Sequence, residues 1–155
     1  MLYLYHATYS IYLDSIMSKG LLAAPGSHNW QDQGIIAGGV YLALNAEVAL
    51  DYAETSEFFD EYDGDDDIDI ILLKIPYTAL DETAFSYDWN NQCEYYAEIN
   101  SCVYEKNIPA RNIQIVDNPD SEPYQDIDSF EDTYLYDVLL DTFDREVDPD
   151  MEDPE

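Results

Sequence analysis

Leu2 to Gly20 reads LYLYHATYSIYLDSIMSKG, and a change of periodicity inside this stretch decides how the rest of the chain is read. Leu2 to His6 alternates apolar and polar-tipped residues, the period-two pattern of a short strand. Tyr9, Leu13, Ile16 and Met17, joined by Tyr12, then recur at the spacing of one helical face. Ser10 stands where a helix cap is expected and Gly20 where a helix of about ten residues ends. A strand that runs straight into an amphipathic helix predicts an α+β domain.

Outward from this unit the same signals recur. Val40 to Leu44 reads as a strand, and Asn45 caps a second helix whose inward stripe is Ala46, Ala49, Leu50 and Ala53. Ile68 to Ile75 has the β-branched, apolar content of a buried central strand and is closed by Pro76. Cys102 to Tyr104 and Asn112 to Val116 give two more strands around a turn at Ile108-Pro109. The expectation is five short strands with two to three helices. Residues 23–39 carry loop chemistry and are long enough to cover a site. Glu54 to Asp69 places nine acids in sixteen positions and reads as a solvent loop.

After Val116 the composition shifts: residues 117–155 hold sixteen acids, one arginine and four prolines. This predicts a domain over 1–116 and an acidic C-terminal extension over 117–155. Within the extension, Ser129-Phe130-Glu131-Asp132 resembles a capping box, and Phe130, Tyr134, Val138, Leu139 and Phe143 keep helical spacing over about 129–144. Beyond Arg145 little is left to bury, and a frayed end is expected.

Charge limits the partners. Thirty-five acids against five bases leave a net charge of −30, a field that repels polyanions and attracts basic surfaces. The bases, Lys19, Lys74, Lys106, Arg111 and Arg145, stand singly and form no stripe for phosphates. Direct binding to nucleic acid or to an anionic membrane is therefore not expected. A solvating surface suited to high salt, a disordered tail and imitation of DNA all fit the acidity. No apolar run approaches the length of a membrane span, and the N-terminus lacks an export pattern, so a cytoplasmic protein is expected. Cys93 and Cys102 form no metal-ligand or CxxC pattern and read as reduced, buried thiols; no metal site is expected.

Two constellations carry chemistry. Tyr5-His6-Ala7-Thr8 puts a histidine at the end of the first strand, where it can donate into a cleft, although a lone histidine is more often structural. Gly38-Gly39-Val40-Tyr41-Leu42-Ala43, with Tyr52 on the next helix, offers two rings able to sandwich a flat aromatic ligand, with core packing as the rival reading among fifteen tyrosines.

In order, Leu4-Tyr5-His6-Ala7-Thr8, Ser15-Ile16 to Gly20-Leu21, Gly39-Val40-Tyr41-Leu42-Ala43 to Tyr52-Ala53, and Val103-Tyr104 to Ile108-Pro109 to Ile113 resemble the ADP-ribosyltransferase superfamily, in the branch that includes poly(ADP-ribose) polymerases. The resemblance covers about residues 2 to 116 and implies a split β-sheet core. It also implies that NAD is the substrate, with His6 and Tyr41 at the first two catalytic positions. His6 would bind the adenosine-side ribose, the Ala7 backbone the carboxamide, and Tyr41 and Tyr52 the nicotinamide, with Thr8 in the same block. Ala49 stands where the family often has a serine. The third position, commonly glutamate, falls on Ser101 and Asn100; Glu98 is two to three positions early and reaches the pocket only through a strand bulge.

Two functions follow as expectations. One is an NAD-dependent mono-ADP-ribosyltransferase that modifies a basic macromolecular target, with His6 and Tyr41 binding NAD and Glu98 activating it. The other is a catalytically lapsed protein of that fold that acts as an acidic DNA mimic against a basic nucleic-acid-binding protein, as phage and plasmid counter-defence proteins do.

Overall fold

Tyr3–Tyr9 forms β1, and its seven residues pair without interruption against β3, Ile70–Pro76, from Tyr3 opposite Pro76 to Tyr9 opposite Ile70. The structure, a computed structural model, describes residues 2–22, 39–54, 69–88 and 98–143. Cys93, most of the 23–39 and 54–69 loops and the end beyond Arg145 lie outside those residues. β1 is longer than its alternation suggests because Ala7, Thr8 and Tyr9 also find partners on β3.

The other strands among the described residues are β2 (Val40–Ala43), β4 (Phe85–Tyr87), β5 (Ser101–Tyr104) and β6 (Gln114–Ile115). All six belong to one antiparallel sheet in the order β4-β5-β2-β1-β3-β6. Among the described residues three α-helices accompany it: α1 (Leu13–Lys19), α2 (Ala46–Glu54) and α3 (Tyr134–Thr142). The fold is thus α+β, with β4 added to the five expected strands.

α1 begins later than its pattern implies. Residues Ser10–Tyr12 form a 3₁₀ turn, and Ser10 joins Asp69 through both its amide and its hydroxyl instead of capping the helix. Gly20 does end α1: its φ is +83°, and a Cβ there would meet the Ile108 carbonyl oxygen at 2.1 Å. Leu21 and Ile108 then exchange backbone hydrogen bonds. α2 follows its reading closely. The Asn45 side chain accepts the Val48 amide proton, and Ala46, Ala49 and Ala53 are buried.

The sheet buries both faces. Leu4, Leu42, Leu73, Ile75 and Cys102 face the larger core, which also contains Ile127, Phe130, Leu135, Leu139 and Phe143. Tyr5, Ala43 and Leu72 face the smaller one beneath Ala46 and Ala49 of α2. Residues on both sides of position 117 therefore share one core. The expected helix over 129–144 starts at Tyr134 instead. Asp126 and Ser129 form a capping box on a 3₁₀ turn, and Thr133 caps α3 by accepting from the Tyr136 amide.

One joint in this sheet differs from the rest. β1 and β2 are paired at a single position, Tyr5 opposite Ala43, whereas β2 and β5 pair at four. Stepping that register by two residues sets Tyr3 against Asn45, yet the Gln125 side chain occupies this place. Its amide accepts from the Tyr3 N–H at 3.2 Å and donates to the Tyr3 and Leu44 carbonyls at 2.8 and 2.6 Å. Asn45 in turn donates to the Gln125 carbonyl at 3.1 Å. A primary amide carries the same donor and acceptor groups as a peptide unit, so Gln125 completes the ladder from outside the sheet.

Gln125→Ala leaves these groups buried without their partner. It should lower stability by at least about 2 kcal/mol in urea denaturation. Leu139→Ala, a fully buried site on α3, should lower it by about 2–5 kcal/mol in a single cooperative transition, because the extension shares the core.

Candidate functional site

The open side of the β1–β2 joint is where the singled-out residues meet. A small cavity of about 20 Å³ is lined by Tyr5, His6 and Ala7 of β1, Tyr41 and Ala43 of β2, and Ala49, Tyr52 and Ala53 of α2. The alanines on α2 and β2 let the helix lie close to the strands, and the tyrosines supply the walls. Thr8, buried opposite Ile71, and Glu98, exposed three residues ahead of β5, are not among the lining residues. The structure brings His6, Ala7, Tyr41 and Tyr52 together and leaves those two outside. Ala49, the position of the family serine, does line the cavity.

His6 spans the joint. Its Nδ1 lies 2.8 Å from the Tyr41 carbonyl oxygen. A carbonyl can only accept, so Nδ1 carries the proton and, in the neutral ring, Nε2 holds the lone pair. Burial lowers the His6 pKa below the ordinary histidine value, and the bond to Tyr41 acts more weakly in the opposite direction. His6 keeps some surface accessible, but its ring is enclosed enough for burial to dominate.

Two carboxylates flank the cavity on the α2 face of the sheet, at opposite ends of one cross-strand row. The register sets Lys74, Tyr5, Ala43 and Ser101 side by side across β3, β1, β2 and β5. At one end Glu122 accepts from the Tyr5 hydroxyl at 2.9 Å and pairs with Lys74 at 3.2 Å. Burial first, then the bond to Glu122 and its charge, push the Tyr5 phenol well above its usual range. Lys74 also lies 4.5 Å from the centre of the Tyr3 ring. At the other end Asp88 follows Tyr87, which pairs with Cys102, and so extends the row beyond Ser101. The Ser101 hydroxyl donates to Asp88 Oδ2 at 2.9 Å, and both residues are buried.

Tyr52 connects this end to the cavity. Its hydroxyl lies 3.4 Å from both Asn100 Oδ1 and Ser101 Oγ, long contacts to two acceptors. Asp88, Ser101, Glu122 and Gln125 complete the surroundings of residues named from the sequence. Ser101 was visible there as the occupant of the third position; nothing nearby in sequence pointed to the others. Cys102, free and fully buried, lies on the opposite face, and burial followed by the Asp88 charge raises its thiol pKa. Among the described residues no group of histidine, cysteine and acidic side chains could hold a metal ion, and no helix is long and apolar enough to cross a membrane. No protein-family model matches the chain, and no curated protein matches it.

The His6 geometry sets a pH dependence. The ring is neutral in the fold and takes up a proton more readily in the unfolded chain. Its contribution is therefore complete above the ordinary pKa of about 6.5 and is lost as pH falls from there through its lowered folded value. Nitrogen-15 NMR should show a protonated Nδ1 and a midpoint below that of a model histidine. His6→Gln should flatten the corresponding part of the stability-pH curve.

Proposed function

We propose that this chain is an ADP-ribosyltransferase-like domain that binds NAD as substrate at the β1–β2 joint and transfers a single ADP-ribose unit to a basic macromolecular target. The observation that carries the reading is the convergence of His6, Ala7, Tyr41 and Tyr52 on one cavity where two neighbouring strands are joined at a single paired position. His6 Nε2 is an acceptor suited to a ribose hydroxyl, with its ring fixed by the bond to the Tyr41 carbonyl. Tyr41 and Tyr52 provide faces for a nicotinamide ring.

The cavity of about 20 Å³ has room for a single water, whereas a pocket for a ligand of this size spans several hundred Å³. Binding therefore requires the walls to open, with the Tyr52 ring turning out of the cavity while its hydroxyl, 3.4 Å from Ser101 Oγ, stays on that side. In the reaction nicotinamide leaves with the bonding pair of the glycosidic bond, and a nucleophile of the acceptor forms the new bond to the ribose carbon. Positive charge develops on the ribose meanwhile, and a carboxylate in hydrogen-bond reach stabilises it. Among the described residues no carboxylate lines the cavity, which favours slow, single-unit transfer. The net charge of −30 draws a basic, cytoplasmic acceptor such as a nucleic-acid-binding protein, a setting that suits conflict between phage and host.

A second reading rests on the small cavity and the same charge: a lapsed transferase fold that occupies the DNA-binding surface of a basic protein. It expects capture of such a protein at low salt, displacement of its DNA, and steep release as salt rises.

Isothermal titration of NAD into the purified protein, beside Tyr41→Ala, separates the two. The transferase reading expects saturable binding that the variant loses at least tenfold, together with label transfer from NAD to a basic protein. Absence of binding in the unsubstituted protein overturns it.

A further inference from the structure

We infer that Asp88, rather than Glu98, is the carboxylate that serves the joint between β1 and β2, acting as a positioning residue through Ser101 on the Tyr52 phenol. This rests on the reading of that joint as an NAD site and names a residue of it. Glu98 is exposed and precedes β5, whereas Asp88 is only 4% exposed and adjoins Ser101 in the row that also contains Ala43 and Tyr5 of the cavity wall.

A carboxylate so enclosed keeps its charge only where donors compensate for lost hydration. The Ser101 hydroxyl is one, at 2.9 Å. Because that hydroxyl gives its proton to Asp88, its oxygen lone pairs turn toward the Tyr52 hydroxyl, 3.4 Å away. The direction of donation is thereby fixed along the chain: Tyr52 to Ser101, Ser101 to Asp88. A bond to a charged acceptor is stronger than one to a neutral acceptor, and it polarises the next bond in line.

Asn100 offers Tyr52 another acceptor at the same distance, and the charge of Asp88 behind Ser101 biases the phenol toward Ser101. Hydrogen bonds of this length in an empty site commonly shorten once ligand is bound. With NAD present, the Tyr52 ring would be drawn toward Ser101 and held against the nicotinamide. The negative charge behind it favours the pyridinium, which is cationic until the glycosidic bond breaks.

The experiment uses the full chain with three mild substitutions, Asp88→Asn, Ser101→Ala and Tyr52→Phe, and their pairwise combinations, each checked for native circular dichroism. NAD titration should show about fivefold weaker binding for each single variant, the loss of roughly one hydrogen bond. Pairs should be no weaker than their worse member, because all three act through one chain. Additive losses, or unchanged binding in Asp88→Asn beside a fivefold loss in Glu98→Gln, overturn the inference. A readout independent of NAD is the carbon-13 resonance of the Tyr52 phenol carbon in labelled protein. Asp88→Asn and Ser101→Ala should both displace it while leaving the Tyr77 resonance in place. If NAD does not bind but this resonance moves, the relay stands and the NAD reading falls; if it does not move, the relay is refuted whatever NAD does.

Discussion

Between β1 and β2 the paired register is a single position long, and a sheet can tolerate such a joint only if the backbone groups left beside it find other partners. They find them in side chains. On one side of Tyr5 the Gln125 amide satisfies Tyr3 and Leu44; on the other the His6 ring reaches the Tyr41 carbonyl. A continuous ladder would leave no space for a cavity, and an unsupported gap would leave polar groups buried at a cost of about 1–3 kcal/mol each. The cavity therefore exists because two residues distant in sequence do the work of a strand, and the position of α2 above it follows from the small residues Ala43, Ala46 and Ala49.

Electrostatics is arranged around the same joint. Glu122, on one flank, is neutralised by Lys74 and bound by the Tyr5 hydroxyl; Asp88, on the other, is bound by Ser101. Cations are scarce in a chain with five of them, and spending Lys74 on Glu122 ties the acidic extension to the central strand β3 at a point that also orders a cavity wall. Elsewhere Lys106 meets Asp81 at the surface, and its hydrogen bond pulls the Asp81 carboxyl down to about 2. That pair lies open to solvent at the surface and contributes little to stability. The interior bonds around Tyr5 and Ser101 matter more because water does not compete for them.

Local signals were legible wherever the structure satisfies them locally. α2 is the clearest case, since the Asn45 cap and the alanine stripe lie within its own residues. Gly20 is another, because a helix end with positive φ leaves glycine as the natural choice. Ser10 misled because its hydroxyl is taken by Asp69, on a distant segment. α3 starts late because the Asp126 capping box closes only a 3₁₀ turn before Thr133 opens the helix. β4 is three residues long and lies at the sheet edge, too short for an alternation to register. Without β4, the adjacency of Asp88 and Ser101 could not be seen. His6, Ala7, Tyr41 and Tyr52 were legible as a group; Gln125 was not, because a side chain that replaces a strand partner leaves no pattern in its own neighbourhood.

The bond between Tyr3 and Gln125 also has a consequence for the birth of the protein. Its partners are 122 residues apart, and synthesis at 5–20 residues per second separates their appearance by roughly 6 to 24 seconds. During that interval β1 has emerged, yet the amide that completes its edge has not been made. Contacts of such long sequence separation also slow the folding step itself. The nascent chain thus carries an apolar strand with unmatched backbone groups into a crowded cell, and its many acidic residues, which keep unfinished copies apart by repulsion, protect it before there is any site to serve.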